Sequence, residues 1–231
     1  MGGNREQSYE EVVRGRKSIR GFLDKAVPQS VLEEIVDTAC RAPSSFNNQC
    51  WHFTVVTGDP LDAIRKGNTE GILAGKPDSR EFRKGGGIAE AHRTRQIDVA
   101  KQLFGEMGIA REDKEGRQDW VMRGFRQFDA PVSVVVTYDK ELLGSDIAPF
   151  DCGAVTNALV NAAWSRGLGC VINSQGIMQS PVVREVAGIP DDEVIMICVA
   201  MGYPDPDFPA NRVYTERKPL EDTVRFVGFG D

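Results

Sequence analysis

Histidine is almost absent: His52 and His92 are the only two, and neither has a second ligand at metal-binding spacing, so no metal centre is expected. Basic charge is not in excess either. With a formal net charge of -6, the chain offers no broad cationic surface for nucleic acid. The five cysteines, Cys40, Cys50, Cys152, Cys170 and Cys198, are odd in number and include no C-x-x-C pair. That argues against a disulfide framework and fits free thiols, most of them buried, in a reducing cytoplasm. No run approaches the roughly 18 apolar residues of a membrane span, and Met1 to Arg20 lacks the apolar centre of a secretory signal. Gly167-x-Gly169 lacks the third glycine of a dinucleotide fingerprint, and Gly85-Gly86-Gly87 lacks the lysine and hydroxyl of a phosphate loop. No nucleophile, base and orienting group stand together for hydrolysis.

What is present reads as one domain over residues 1–231. Ser8 and Glu11 form a capping-box pattern ahead of a short helix carrying Val12 and Val13. After Pro28, the positions Val31, Leu32, Ile35, Val36 and Ala39 recur at helical spacing, and Pro43 ends the run. Strands are expected over Trp51 to Thr57 (closed by Gly58-Asp59-Pro60), Val132 to Tyr138, Gly169 to Asn173 and Val194 to Met201. Helices are expected over Asp151 to Arg166, stopped by Gly167, and over Ser180 to Ala187. The stretch from Arg65 to Gln118, with Gly67, Gly71 and Gly75 among many charges, reads as a mobile helical excursion, a lid over substrate or a solvated insertion. The tail from Tyr203, with Pro204, Pro206, Pro209 and Pro219, reads as extended and not folded on itself. Helices first, then strands interspersed with helices without strict βαβ repetition, give an α+β class.

Two segments carry chemistry. Arg14, Arg16, Lys17 and Arg20 cluster within seven residues of an otherwise acidic chain. Arg16 and Arg20, four apart, would share a helical face and converge on a dianion, where guanidinium forks make charge-assisted bonds; a solvated helix end is the plain alternative. The loop from Pro43 to Trp51 supplies Ser44, Ser45, Asn47, Asn48 and Gln49 where the chain enters a buried strand. Such residues are ordinary turn formers, and their amides also offer donor and acceptor together to the polar edge of a heterocycle. His52, inside a strand, reads as a packed or hydrogen-bonded side chain.

Arg16-Lys17-Ser18-Ile19-Arg20 with Phe22, followed by Ala42-Pro43-Ser44-Ser45-x-Asn47-x-Gln49-x-Trp51, closely resembles the nitroreductase family of FMN-dependent oxidoreductases. That family's usual pattern is R-x-S-x-R-x-F followed by A-P-S-x-x-N-x-Q-P-W. Cys170 to Gly176 and Arg217-Lys218-Pro219-Leu220 look like its third and fourth flavin-binding segments. The resemblance covers nearly the whole chain outside the Arg65 to Gln118 stretch. It implies an FMN-binding fold with a central, mostly antiparallel sheet flanked by helices, in an obligate homodimer whose extended carboxy-terminal tail is exchanged between subunits.

Carried over by residue, the resemblance assigns Arg16, Lys17, Ser18 and Arg20, helped by Arg217, to the FMN phosphate and ribityl chain. Pro43, Ser44, Ser45, Asn47 and Gln49 would reach the same flavin from the other subunit. Asn173, Ser174, Gln175 and Gly176 form the third segment, with the backbone N–H of Gln175 or Gly176 aimed at flavin N5 and O4 in the catalytic role. Arg126, with Arg123 beside it, is the candidate positive charge near N1 and O2, which would stabilise negative charge on the reduced ring. The implied activity is ping-pong transfer of hydride from NADPH or NADH through the flavin to nitroaromatic acceptors, giving nitroso and then hydroxylamine products. Two alternatives stand beside it: a reductive dehalogenase or flavin-destroying enzyme of the same fold, and a non-catalytic flavin-binding protein. Arg80, Arg83, Arg93 and Phe46 are candidates for substrate selection. Cys50 departs from the pattern, standing where the family usually has proline, and reads as a buried structural thiol.

Overall fold

The structure, a computed structural model, describes residues 7–82 and 89–229; Arg83 and the Gly85-Gly86-Gly87 run lie outside them. Four strands, β1 (Trp51–Thr57), β2 (Val132–Asp139), β3 (Gly169–Asn173) and β4 (Glu193–Gly202), form an antiparallel sheet in the order β1-β2-β4-β3. Alternation along the central strand feeds two cores. Val132, Val134 and Val136 face α2 (Gln29–Ala39) and α6 (Ile147–Ser165), which bury Leu32, Ile35, Val155 and Leu159 there. Val135, with Ile195 and Cys198, faces α3 (Gly58–Leu73) and α7 (Ser180–Ala187), which bury Leu61, Ile64 and Val183. The result is an α+β sandwich of helices around one sheet, as the element order implied. Burial of so many Val, Ile and Leu side chains, each worth about 1.5–3 kcal/mol, holds the layers together.

Beyond these lie α1 (Tyr9–Gly15), α4 (Glu90–Glu106) and α5 (Lys114–Phe125). The capping box of α1 forms: the Ser8 N–H donates to Glu11 Oε2 at 2.7 Å and the Glu11 N–H to Ser8 Oγ at 3.2 Å. Gly167, at φ 76°, stops α6 in the left-handed region. Among the described residues no helix is long and apolar enough to cross a membrane.

Three expectations change. Gly58-Asp59-Pro60 does not close β1; it opens α3, which runs into the supposed excursion as a core helix. Gly67 and Gly71 mark close packing there, since a Cβ would stand 2.6 Å from Val182 Cγ1 at the first and 2.9 Å from Gln179 Cγ at the second. Helix α6 begins at Ile147, four residues earlier than its apolar pattern. Pro149 fits because first-turn N–H groups need no intrahelical acceptor.

The tail also does fold on its own chain at first. Pro209–Arg212 is a 3₁₀ turn that buries Ala210 and Asn211, and α4 packs Leu103 against Ala210 and Val213. Its prolines set turn dihedrals and do not enforce extension.

Candidate active site

Helix α1 ends at Gly15, and Arg16 adopts extended geometry, so the cationic segment is not helical as its four-residue spacing had suggested. It runs beside β3: the Ile19 N–H donates to Cys170 O at 3.0 Å, and Ser18 makes a parallel bridge with Cys170. Alternation of the extended chain buries Ile19 and turns Arg16, Ser18 and Arg20 to the other side. Asn211 pins this backbone. Its Oδ1 accepts the N–H groups of Arg20 (2.8 Å) and Gly21 (3.1 Å), and its Nδ2 donates to Gly21 O at 2.8 Å and Asp205 O at 2.9 Å.

That tie brings the tail onto the segment and closes a cavity of about 280 Å³. Arg16, Lys17, Ser18, Arg20, Thr215 and Arg217 are among its lining residues, and no carboxylate is. Arg14 is taken by Glu10 at 2.7 Å. Arg16, Lys17 and Arg20 have no ion pair among the described residues. Burial pushes the Arg20 guanidinium below its ordinary range, and its Nη1 donates only a long 3.4 Å bond to Ser18 O. A partly desolvated Arg20 beside Arg16 and Lys17, all without counter-ions among the described residues, is poised for an anion with several acceptor oxygens, which fits a phosphate monoester.

Beyond Cys170, β3 ends at Asn173, roughly 10 Å further at about 3.3 Å per residue. There the chain turns through Ser174 into Gln175–Ile177. Asn173 Oδ1 accepts from the N–H groups of Gln175 (2.8 Å) and Gly176 (3.3 Å), and its Nδ2 donates to Gly124 O at 2.7 Å. The turn thus lies against the end of α5, which carries the two candidate arginines. Arg126 is committed to carboxylates: its Nε donates to Asp129 Oδ1 at 3.1 Å, and Asp119 lies 3.9 Å from Nη2. Arg123 lies 3.4 Å from Asp129 and over the Phe208 ring at 4.9 Å, and its buried Nε–H has no acceptor.

Ser174 opens onto a second cavity of about 440 Å³, walled by Phe82, Cys152, Ile172 and Met196, with Arg80 at its margin. Arg80 is held by Asp78 at 2.9 and 3.0 Å. Arg93 sits exposed on α4.

The Pro43–Gln49 loop is elsewhere. It enters β1, at the sheet edge opposite β3. Phe46, Asn47 and Gln49 are all in the left-handed region (φ 49°, 59° and 49°), a conformation costly for side chains other than glycine. Its backbone is anchored where the Ser45 N–H meets the buried Asp151 carboxylate of α6 at 3.2 and 3.1 Å. The Gln49 N–H donates to Ser44 Oγ at 3.0 Å, and Gln49 Nε2 donates to Asn47 O at 3.2 Å. Phe46 is fully exposed, and the Asn47 amide has no partner among the described residues. Cys50 is buried behind the loop, where burial and then Asp151 and Asp139 push its thiol pKa up. His52 Nε2 lies 2.8 Å from Asp139 Oδ1, the hydrogen-bonded histidine its strand position implied.

The two segments therefore sit at opposite ends of α6. Ser45 is tied to Asp151, whereas Gly15 lies against Trp164, about 20 Å along the helix at about 1.5 Å per residue. One chain joins Arg16, Lys17, Ser18, Arg20 and Arg217, and it does not bring the Pro43–Gln49 residues to them. Among the described residues no cluster of metal-ligating side chains forms.

A family model described as the nitroreductase family matches residues 13–203, from the cationic segment to the start of the tail. The chain belongs to the nitroreductase family. Relatives agree over nearly full length. Chloronitrobenzene nitroreductase of Comamonas testosteroni is 32% identical, covering 94% of this chain and 96% of that protein. Nitrobenzene nitroreductase of Ectopseudomonas oleovorans is 33% identical with the same coverage. Among solved structures, the FMN and NADPH-dependent nitroreductase NfnB of Sphigopyxis sp. strain HMH superposes with a TM-score of 0.89 at 28% identity, covering 96% of this chain and all of that one.

Several residues that build this nitroreductase site escaped the sequence reading: Asn68, Asp151 and Asn211. Each is a lone buried polar residue fixed by long-range partners. For Asn211 the Pro209-Ala210-Asn211 turn chemistry was a usable signal, and for Asn68 there was none.

Proposed function

We propose that this nitroreductase binds FMN and transfers electrons from NADPH or NADH to nitroaromatic compounds. One observation carries the reading: Arg16, Lys17, Arg20 and Arg217, from the two ends of the chain, line one cavity that no carboxylate neutralises. The names of the relatives, which specify chloronitrobenzene, nitrobenzene, FMN and NADPH, support the cofactor and the acceptor class. When bound, FMN supplies a carrier that accepts hydride from the nicotinamide and passes two electrons to the nitro group.

The chain's own residues bind and orient. Arg16, Lys17, Ser18, Arg20 and Arg217 hold the phosphate and ribityl chain. The N–H groups of Gln175 and Gly176, shared with Asn173 Oδ1, would donate to the N5 and O4 edge. Arg123, which lies 3.4 Å from Asp129 but keeps a buried Nε–H with no acceptor, would supply the positive charge near N1 and O2, whereas Arg126 is held by both Asp129 and Asp119. Protons come from water, so no dedicated acid is needed.

We further propose a homodimer in which the Pro43–Gln49 loop of a second copy completes each site, because the two halves lie at opposite ends of α6 in one chain. Residues 214–229, with Phe226, Val227 and Phe229 exposed, are the segment to cover that second copy. Five free thiols favour the cytoplasm.

The test is reconstitution followed by anaerobic mixing. The purified protein retains FMN through dialysis, and NADPH or NADH bleaches its visible flavin absorbance, which a nitroaromatic restores. A protein that cannot take up FMN overturns the reading. Mixed dimers of Arg20→Ala and Asn47→Ala chains regain one intact site if sites are shared, and regain none if each chain is complete alone.

A further inference from the structure

Asn68, in the middle of α3, has no exposed surface, and its amide is fully engaged on three elements. Its Nδ2 donates to Phe125 O at 2.9 Å and to Gln175 O at 2.8 Å, and its Oδ1 accepts the Gln179 N–H at 3.0 Å. Asn173 mirrors it from β3, tying the Gln175 and Gly176 N–H groups to Gly124 O. Residue 175 is thus gripped at its N–H by one buried amide and at its C=O by the other. Both amides end on consecutive last carbonyls of α5, which have no helical N–H four residues on. Gln127, also buried, adds a 3.5 Å bond from Nε2 to Gly176 O.

Burying two primary amides is costly unless they are paired, and here each is bonded at both its nitrogen and its oxygen, so that an apolar side chain in either place would leave backbone groups of α5 and of the turn unpaired. What the amides add is orientation. Resting on the flavin reading above, we propose that Asn68 and Asn173 are positioning residues that lock the Gln175–Gly176 turn to the end of α5. The turn's N–H groups and Arg123 then meet the flavin as one rigid unit. The Asn173 amide acts through the turn, whose N–H groups it holds.

The experiment uses full-length protein reconstituted with FMN, with variants Asn68→Ala, Asn173→Ala and Asn173→Ser. Serine still accepts the turn N–H groups but cannot reach Gly124 O. Leu61→Ala, a cavity in the same layer, controls for general destabilisation. Flavin reduction is equilibrated against a reference dye, and amide hydrogen exchange is followed in residues 121–127 and 173–179. Each asparagine variant is expected to lower the reduced-to-oxidised ratio about tenfold, the effect of about one hydrogen bond, while FMN affinity moves less than about threefold because the phosphate cavity is intact. Protection in both peptides falls together, and Asn173→Ser lies between wild type and Asn173→Ala. Leu61→Ala lowers the melting temperature and leaves the ratio unchanged. An unmoved ratio in folded, FMN-loaded Asn68→Ala and Asn173→Ser overturns the proposal and leaves the flavin reading intact, as does exchange rising in only one peptide. If a variant fails to hold its fold, the exchange coupling and ratio of the remaining ones decide. Wild-type protein that takes up no FMN overturns both.

Discussion

The two ends of α6 meet the task of holding a polar ligand in opposite ways. At the Trp164 end, the Arg16–Arg20 segment is relaxed, its backbone bonded to β3 and Asn211, and its charges stand without counter-ions. At the Asp151 end, most polar groups of the Pro43–Gln49 loop satisfy one another, and the cost sits in three left-handed residues. The first end recruits by charge. The second presents a pre-shaped surface, with Phe46 and the Asn47 amide outward, and among the described residues the Asn47 amide has no partner. Charge would bring a ligand in and shape would read it, and the proposed second copy is what would join the two, since they lie about 20 Å apart along α6.

That contrast can be broken most sharply by removing the charges. The double variant Arg16→Ala/Arg20→Ala loses two charge-assisted contacts worth about 1.5–3 kcal/mol each. Its FMN dissociation constant should rise about 100-fold or more in a fluorescence titration, and its preference for FMN over riboflavin should collapse. Asn211→Ala leaves buried peptide groups unpaired for about 2–3 kcal/mol, lowering both the melting temperature and that preference. Asp151→Ala, which orphans the Ser45 N–H, should cost a similar 2 kcal/mol or so in melting but leave the preference for FMN over riboflavin unchanged. Equal loss of preference in both variants would erase the division between the ends.

Alkali separates them more gently. Each end has a buried thiol. Cys170 is raised by burial and drawn partly back by Arg16, whereas Cys152 is raised to about 12 by burial and further by Cys50 and Asp151. A thiol whose folded pKa exceeds its unfolded value of about 8.5 stabilises the fold fully below that pH, and the contribution is lost as pH rises toward the folded pKa. Stability should therefore fall between about pH 8.5 and 12. Cys152→Ala should flatten that decline by up to about 1.4 kcal/mol per pH unit in pH-dependent melting. The smallest effect concerns strain: Asn47→Gly relieves a φ of 59° and should alter stability by no more than about 1 kcal/mol, in the stabilising direction. A larger loss would mean that the Asn47 amide has a partner outside its own chain.

Local signals in the sequence were reliable where the cause was local. The Ser8–Glu11 capping box, β1, β3 and α7 follow from neighbouring residues, and the cationic and amide-rich segments were visible as clusters. What failed depended on distant partners. Gly67 and Gly71 looked like breakers because Val182 and Gln179, against which they pack, are more than 100 residues away. Asn68 drew no reading from the sequence, since nothing local says that both α5 and the Gln175 turn will close over it. The helical spacing of Arg16 and Arg20 misled for the opposite reason: α1 ends one residue before Arg16, and pairing with β3 imposes a two-residue repeat.

The bonds from Asn211 to Arg20 and Gly21 span 191 and 190 residues. Contacts so distant in sequence form late, because loop closure must be met before they contribute. On the ribosome, the cationic cavity therefore lacks one wall until Arg217 has been made and has cleared the exit tunnel. A growing chain can assemble its sheet and both helical layers first. On the proposed reading, a chain stopped before Asn211 and Arg217 would keep its sheet and both helical layers but lack one wall of the cationic cavity.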